Sequence, residues 1–478
     1  MDRYLLGLDL GTTGCKAMLF DEKGTIMGSR YIEYGLIFVP EGVEQNAEDW
    51  WTNLCECVKG TVADAGIDPA AVTALSLSSQ GISGVPVDKA LRPLYNSLNW
   101  LDNRSVAEQA EMKEKLGLSV IRALTGKNKC DYSLPELVWL LRNRSDELAA
   151  IDKYLMPLDF LNARMTGRAV TDLSMASGTL AFDMNRAEWI DSFFEAMEVP
   201  KDLFAELGAM GAPVGFLTEE AAAQLGLTPA TLVALGAQDQ RCASLGAGIE
   251  KGCVTVSLGT AAALCSLLDA PVLDPEARVT CCAMDGTHWV LESTIGTAGA
   301  ALKWFRNCFF PGVKYAELDR MALAAGPCPQ GIFFLPGLGD GKGSFFGLGL
   351  DAKPGSLARA VLEGIAFILR RHVADHERLL GTEVKELRVF GGGASDVWLQ
   401  IIADVTRKKV IRPRTNETAC LGAAMLAAKG AGLLEDLYDA PELVGAPSAV
   451  FTPNPATEAV YAEGAERFSA LCGFVDTM

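Results

Sequence analysis

One short pattern, used twice, constrains this chain more than anything else in it. Tyr4 to Phe20 reads as an apolar strand, a turn at Gly11-Thr12-Thr13-Gly14 and a second apolar strand. Cys253 to Cys265, with Gly259-Thr260 at its turn, has the same shape about half the chain later. A repeated strand-turn-strand unit predicts two lobes with similar cores. In each, glycine permits a tight turn and lets backbone N–H groups face outward, and threonine adds a hydroxyl donor. The 478 residues agree, being too many for one compact core. No low-complexity linker marks a border, so the echo alone sets it, with an N-terminal lobe over residues 1–243 and a C-terminal lobe over 244–478.

Helical and strand patterns alternate elsewhere, which predicts an α/β protein. Ala47 to Ala65 and Ser133 to Arg142 are expected as helices, and Val72 to Ser78 and Thr231 to Gly236 as strands. In the second half Val361, Ile365, Leu369 and Val373 recur at helical spacing, predicting a helix over Leu357 to Leu380 with Ser356 as N-cap and Gly381 as stop. Leu387 to Phe390 then forms a strand running into Gly391-Gly392-Gly393-Ala394, with a helix from Val397 to Thr406. A strand, a glycine loop and a helix N-terminus make a third candidate nucleotide contact.

Charge and cysteine usage exclude several classes. A formal net charge of -18 repels polyanions, so neither nucleic acid nor an acidic membrane surface is expected as a partner. A nucleotide remains compatible, since local N–H groups and a bridging cation bind it. The 13 cysteines are odd in number and scattered through apolar segments such as Leu54-Cys55-Glu56-Cys57, which reads as reduced thiols in the cytoplasm. No pair has zinc spacing, and with His288, His372 and His376 as the only histidines a metal cluster lacks ligands; the His372/His376 spacing of one helical turn is read as structural. The N-terminus runs straight into the first strand without a signal-peptide pattern. Ala419 to Leu434 is interrupted by Lys429 and glycines, so it is expected as a buried helix rather than a membrane span.

An aspartate ending a first strand just before Gly-Thr-Thr-Gly suits a magnesium nucleotide. Asp9 is placed to attract Mg2+ directly or through water, and Thr12, Thr13 and Lys16 carry donors for phosphate oxygens. An ordinary hairpin with a lysine on its exposed strand accounts for the same residues. The second hairpin and the glycine loop favour the first account, because an ATP cleft between two lobes needs these parts.

Taken in order, these motifs resemble the FGGY carbohydrate kinase family, xylulose kinases in particular, from Leu6 to about Ala428. Glu44-Gln45 with Trp50-Trp51, Pro157-Leu158-Asp159-Phe160-Leu161 with Thr166-Gly167, and Thr171-Asp172 with Ala176-Ser177-Gly178-Thr179 add to the likeness. The resemblance implies two ribonuclease H-like lobes of the actin and hexokinase ATPase type with a central cleft. It also implies ATP and Mg2+, and phosphorylation of a hydroxyl of a small sugar or polyol, a ketopentose such as xylulose. In Gly236-Ala237-Gln238-Asp239-Gln240, Asp239 matches the family's catalytic base. A positioned carboxylate there would take the proton of a poorly nucleophilic sugar hydroxyl as its bond to the γ-phosphorus forms. A helix cap is the structural alternative. Gly259 and Thr260 match the second phosphate hairpin, Gly299 and Lys303 a helix on the adenine side, and Gly392, Gly393 and Ala394 the loop beneath the nucleotide. Glu417 to Ala424 is similar to a structural helix behind the site.

The departures bear on the substrate. Where xylulose kinases carry a Met-His pair, this chain has Gly81-Ile82 after Gln80, and the Arg-Glu pair of glycerol kinases is absent there too. Gln80, Gly81 and Ile82 are still expected in the sugar site, with Asp239. Asp102, in Trp100-Leu101-Asp102-Asn103-Arg104, either accepts sugar hydroxyls or pairs with Arg104. The short loop Gly337 to Ser344 bears on subunit contacts, with a homodimer one arrangement to consider, and the glycine loop near Ser395 is one residue short. A chaperone-like or filament-type ATPase of the same fold is the rival reading, and a ligand sensor without catalysis a third.

Overall fold

The computed structural model describes residues 3–339, 341–393 and 395–476. A near-continuous apolar run makes Tyr4–Leu10 (β1) almost wholly buried on both faces, and its neighbours follow from its two edges. On one side lie Gly14–Asp21 (β2), antiparallel to β1, and then Ile26–Glu33 (β3). On the other side lies Val72–Ser79 (β4), parallel to β1. Beyond β4, Pro213–Phe216 (β5) pairs antiparallel with Leu232–Ala234 (β6), and both β6 and Ala237–Gln238 (β7) run parallel to β4. Helix Ala47–Ala65 occupies the expected span: Asn46 caps its start by accepting from the Glu48 N–H, and Gly66 ends it in the left-handed region. The core includes Trp50, Leu54 and Val58 of that helix with Leu6, Leu8, Leu75 and Leu77 of the sheet.

A second sheet repeats this plan. Cys253–Leu258 (β8) pairs antiparallel with Ala262–Leu268 (β9), which neighbours Trp289–Ile295 (β10). On its other side β8 runs parallel to Glu386–Phe390 (β11), which is parallel to Lys409–Arg412 (β12), with Ala449–Phe451 (β13) antiparallel at the edge. The order β10-β9-β8-β11-β12 thus repeats β3-β2-β1-β4-β6, and the echo in the sequence is an echo in topology. Helix Pro354–Leu380 starts earlier than expected. Lys353 is its N-cap and Ser356 lies inside the first turn, because proline lacks an N–H that the first turn leaves unpaired anyway. Gly381 ends it as expected. His376 on this helix is buried between the hydroxyls of Ser266, 2.6 Å from its Nδ1, and Ser293, 3.0 Å from its Nε2. Burial pushes its pKa down to about 3, so it is a neutral structural link.

The division of the chain differs from a single border after residue 243. One unit comprises residues 1–248, 268–290 and 417–445; the other comprises 249–267, 291–416 and 446–478. The physical reason is clearest at helix Thr418–Gly430. A Cβ built on Gly7 of β1 would lie 1.8 Å from the Cys420 carbonyl oxygen, one on Gly246 would lie 1.9 Å from that of Thr418, and one on Gly422 would lie 1.9 Å from that of Cys242. Backbone meets backbone at all three points, which only glycine allows. The segment 268–290 is tied in by bonds from the Ala283 N–H to Ser177 Oγ (3.2 Å) and from the Trp289 indole to the Met184 carbonyl (2.8 Å). All thirteen cysteines are free thiols. Among the described residues no helix is long and apolar enough to cross a membrane.

Candidate active site

In the first unit the candidate residues collect at one edge of the sheet. Strands β1, β4 and β7 are mutually aligned and parallel, so Asp9, the Ser79-Gln80 exit of β4 and the Gln238-Asp239 exit of β7 all lie at carboxyl ends. Loops leaving that edge of an α/β sheet are where ligands are usually held. Ser78 is the register partner of both Asp9 and Ala237, and its hydroxyl donates to Asp9 Oδ1 at 2.6 Å. Burial raises the pKa of Asp9, opposed by the Ser78 bond and the charge of Lys16, while Glu417 adds to the rise. A cation beside Asp9 would relieve that burden. The donors fit a hard ion that takes most of its ligands from phosphate and water, since among the described residues no group of three or more His, Cys, Asp or Glu could hold a metal alone.

The hairpin turn closes through the Gly11 N–H donating to the Gly14 carbonyl at 2.9 Å. Thr13 at its tip is exposed and Thr12 half-buried. Lys16 is engaged from behind: its Nζ lies 2.6 Å from Glu417 Oε2 and 5.6 Å from the centre of the Tyr31 ring. Burial works against its charge most strongly, but the hydrogen bond and charge of Glu417, with the charges of Cys420 and Asp9, together outweigh this and raise its pKa.

Asp239 is the first residue of helix Asp239–Gly246 and is half-buried. The N-cap is Gln238, whose side chain accepts from the Gln240 N–H at 3.1 Å. Asp239 Oδ1 accepts from the Gln240 N–H at 2.7 Å and from the Gln238 amide. One turn on, the buried Cys242 thiol is pushed up by burial and then by the charges of Asp172, Asp9 and Asp239 together, which brings the candidate base and the candidate metal ligand into one neighbourhood.

The Gln80 loop packs beside Gln238, the residue before Asp239. A Cβ on Gly81 would lie 3.6 Å from Cγ of Gln238 and 3.8 Å from Sδ of Met175. Ile82 has φ of 57°, a left-handed conformation that a β-branched residue adopts only under constraint, and such strain gathers at ligand sites. Gln80 is buried, and Asp102 is committed elsewhere. Its Oδ2 accepts from the Val43 N–H at 2.7 Å and sits 2.8 Å from Arg104, whose other arm reaches Glu44 at 2.9 Å. The pairing with Arg104 that the sequence left open for Asp102 is present.

In the second unit three motifs meet at the end of β8. The Gly299 N–H donates to the Gly259 carbonyl at 2.8 Å, and those of Ala298 and Ala300 donate to the Thr260 carbonyl at 2.9 and 3.0 Å, joining the second hairpin to the start of helix Gly299–Phe309. The glycine loop packs on the same strand end, with the Gly393 N–H donating to the Leu258 carbonyl at 3.3 Å. Gly391 has φ of +109°, and its Cβ would lie 2.7 Å from that carbonyl oxygen, so glycine is required there. Gly392 faces open space, Lys303 is exposed on the helix, and Ala394 lies outside the described residues. Ser78, Asn99 and Glu417 were not singled out as site residues from sequence. Ser78 is an unremarked serine at the end of a buried strand, and only its register against Asp9 reveals it.

Comparison with known proteins bears directly on these residues. Residues 4–246 match the model of the FGGY family of carbohydrate kinases, N-terminal domain, and residues 254–431 match its C-terminal domain. The chain is 32% identical to a glycerol kinase of Thermococcus gammatolerans over 92% of this chain and 91% of that protein. It is 28% identical to a xylulose kinase of Lactococcus lactis subsp. lactis over 96% and 94%. Its fold matches the crystal structure of a gluconate kinase from Lactobacillus acidophilus with a TM-score of 0.92 at 24% identity, over 99% of this chain and 98% of that one.

Proposed function

We propose, from the premise that this chain belongs to the FGGY family of carbohydrate kinases, that it passes the γ-phosphoryl group of MgATP to a hydroxyl of a ketopentose, D-xylulose not being the best acceptor. The observation carrying the reading is the shared strand edge, where Asp9, the Gln80 loop and Asp239 come together. Asp239 serves as the base, accepting the hydroxyl proton as the oxygen attacks phosphorus. Thr12 and Thr13 of the first hairpin, and Gly259, Thr260 and the glycine loop of the second unit, supply donors for the nucleotide, with Gly299 and Lys303 on its adenine side. Asp9, oriented by Ser78, would hold Mg2+, which supplies charge neutralisation on the phosphates when bound. A partner-controlled ATPase of the same fold does not account for an acceptor loop beside Asp239.

The relatives divide over xylulose, glycerol and gluconate, so the acceptor is argued from this chain's own residues. The Gln80 amide is bonded to that of Gln45, which is bonded in turn to Asn99, and Arg104 is paired with Asp102 and Glu44. That suits an uncharged polyhydroxyl more than a sugar acid. Gly81 and Ile82 offer no side-chain hydrogen bond where the Met-His pair would stand, and a lost donor shifts preference away from the hydroxyl it served. The test is ADP release over a panel of ketopentoses, ketohexoses, tetritols, pentitols and gluconate, against a no-acceptor control. A different ketose or polyol should give the highest kcat/KM. A lead of about tenfold or more for D-xylulose would refute the specificity argument, and a lead for gluconate would refute the neutral-site argument.

A further inference from the structure

Gln45 ends the short strand Gly42–Gln45, is 1% exposed, and closes a ring of hydrogen bonds around the candidate acceptor loop. Its Oε1 accepts from Gln80 Nε2 at 2.7 Å and from Asn99 Nδ2 at 3.0 Å. Its own Nε2 donates to the Thr12 carbonyl at 2.8 Å. Trp100, next to Asn99, returns to the same turn, its indole N–H donating to Thr12 Oγ1 at 2.9 Å. The Gln80 N–H completes the ring by donating to the Leu10 carbonyl at 2.8 Å. One position in this network stands open: Gln80 Oε1 is buried and has no hydrogen-bond partner among the described residues. Buried amide oxygens are nearly always satisfied, so this one is suited to a donor that arrives from outside.

We propose that Gln45 is a positioning residue that reports occupancy of the Gln80 loop to the first phosphate hairpin, aligning the Thr13 N–H for a phosphate oxygen once an acceptor hydroxyl is bound. The route is short. A hydroxyl donated to Gln80 Oε1 polarises that amide and strengthens its N–H bond to Gln45, which in turn strengthens the bond from Gln45 to Thr12. A trans peptide is planar, so fixing the Thr12 carbonyl on one side directs the Thr13 N–H to the other. The bond from the Tyr34 N–H to the Thr13 carbonyl, 2.9 Å, holds the following peptide. The chemistry that follows is loss of idle ATP hydrolysis when the loop is empty, since the hairpin is then imperfectly aligned. This inference rests on the kinase reading above and adds to it the element that couples its two substrates.

Gln45→Glu keeps the shape and an acceptor for Gln80 and Asn99 but replaces the donor to Thr12 with an oxygen. Gln45→Met removes both ends at similar volume. The measurement is acceptor-stimulated against acceptor-free ADP release by the full chain, using the best acceptor of the panel, together with melting temperature. In Gln45→Glu the stimulation ratio should fall by about tenfold or more through kcat, with acceptor KM within about threefold of wild type; in Gln45→Met both should worsen. A wild-type ratio in either variant overturns the proposal. So does a loss of activity in both that tracks melting temperature with kcat and KM changing alike, which is the mark of a structural residue. If instead no acceptor stimulates the wild type, the kinase reading itself falls, and the variants are not reached.

Discussion

Replacing Gly422 by alanine tests how far the chemistry depends on a contact remote from it. The added Cβ would sit 1.9 Å from the Cys242 carbonyl oxygen, whereas real Cβ atoms essentially never come closer than 3.0 Å. Both partners are backbone, so no side chain can turn aside and the two helices must part by about 1 Å. Cys242 and Asp239 lie on one short helix, so the proposed base moves with it. A misplacement of about 1 Å is worth about a hundredfold in rate, or about 2.7 kcal/mol of barrier. The packing strain itself is about 1–3 kcal/mol, below the total stability of an ordinary domain, so the variant should fold with a lowered melting point. Steady-state ADP release should show kcat reduced by about a hundredfold, with KM for ATP changed far less. Gly473→Ala, where an added Cβ meets nothing within 4 Å, serves as the control and should keep wild-type kcat. A Gly422→Ala protein with more than about a third of wild-type kcat and an unchanged melting point would refute the claim that this contact sets the base.

Asp239→Asn keeps the side chain's shape but removes the proton acceptor, so turnover should fall by at least about a hundredfold while ATP affinity stays near wild type; retention of more than about a tenth would remove Asp239 from the role. Asp159 gives a pH prediction. Its Oδ2 accepts from the Met156 N–H at 3.0 Å, and burial pushes its pKa up to about 8, so the folded state holds a proton that the unfolded chain releases near the ordinary value. The stability this provides is full below the unfolded pKa and is lost as pH rises toward 8, at up to about 1.4 kcal/mol per pH unit. Asp159→Asn should flatten the fall of melting temperature between pH 5 and 9; parallel curves for variant and wild type would refute the assignment.

Local features were the legible ones. Helix Ala47–Ala65 was expected with its bounds, the later long helix could be read from its helical spacing and its Gly381 stop, and both hairpins from their glycines, because the forces that set them act over a few residues. The repeated topology followed from two hairpins of one kind. What the sequence hid was long-range. Lys16 reads as a free cation until Glu417 is placed beside it, and nothing near either residue announces the other. Asp102 and Arg104 are two residues apart, so their pairing could be weighed in advance, but the Val43 N–H that completes the aspartate's bonds could not. Helix Thr418–Gly430 was expected to be buried, yet its glycines point to close packing without naming the partner, so the return of residues 417–445 to the first compact unit could not be read in advance.

That helix also has a bearing on biosynthesis. A ribosome delivers residues in order at about 5–20 per second, and roughly 170 residues separate Gly246 from Thr418, a gap of about 10–30 s. Until Thr418–Gly430 emerges, the grooves at Gly7, Gly246 and Cys242 have no occupant and the Asp239 helix has nothing to fix its position against β1. A nascent or truncated chain can therefore make both hairpins without fixing Asp239, and the proposed base is set only once the last piece of the first unit has been translated.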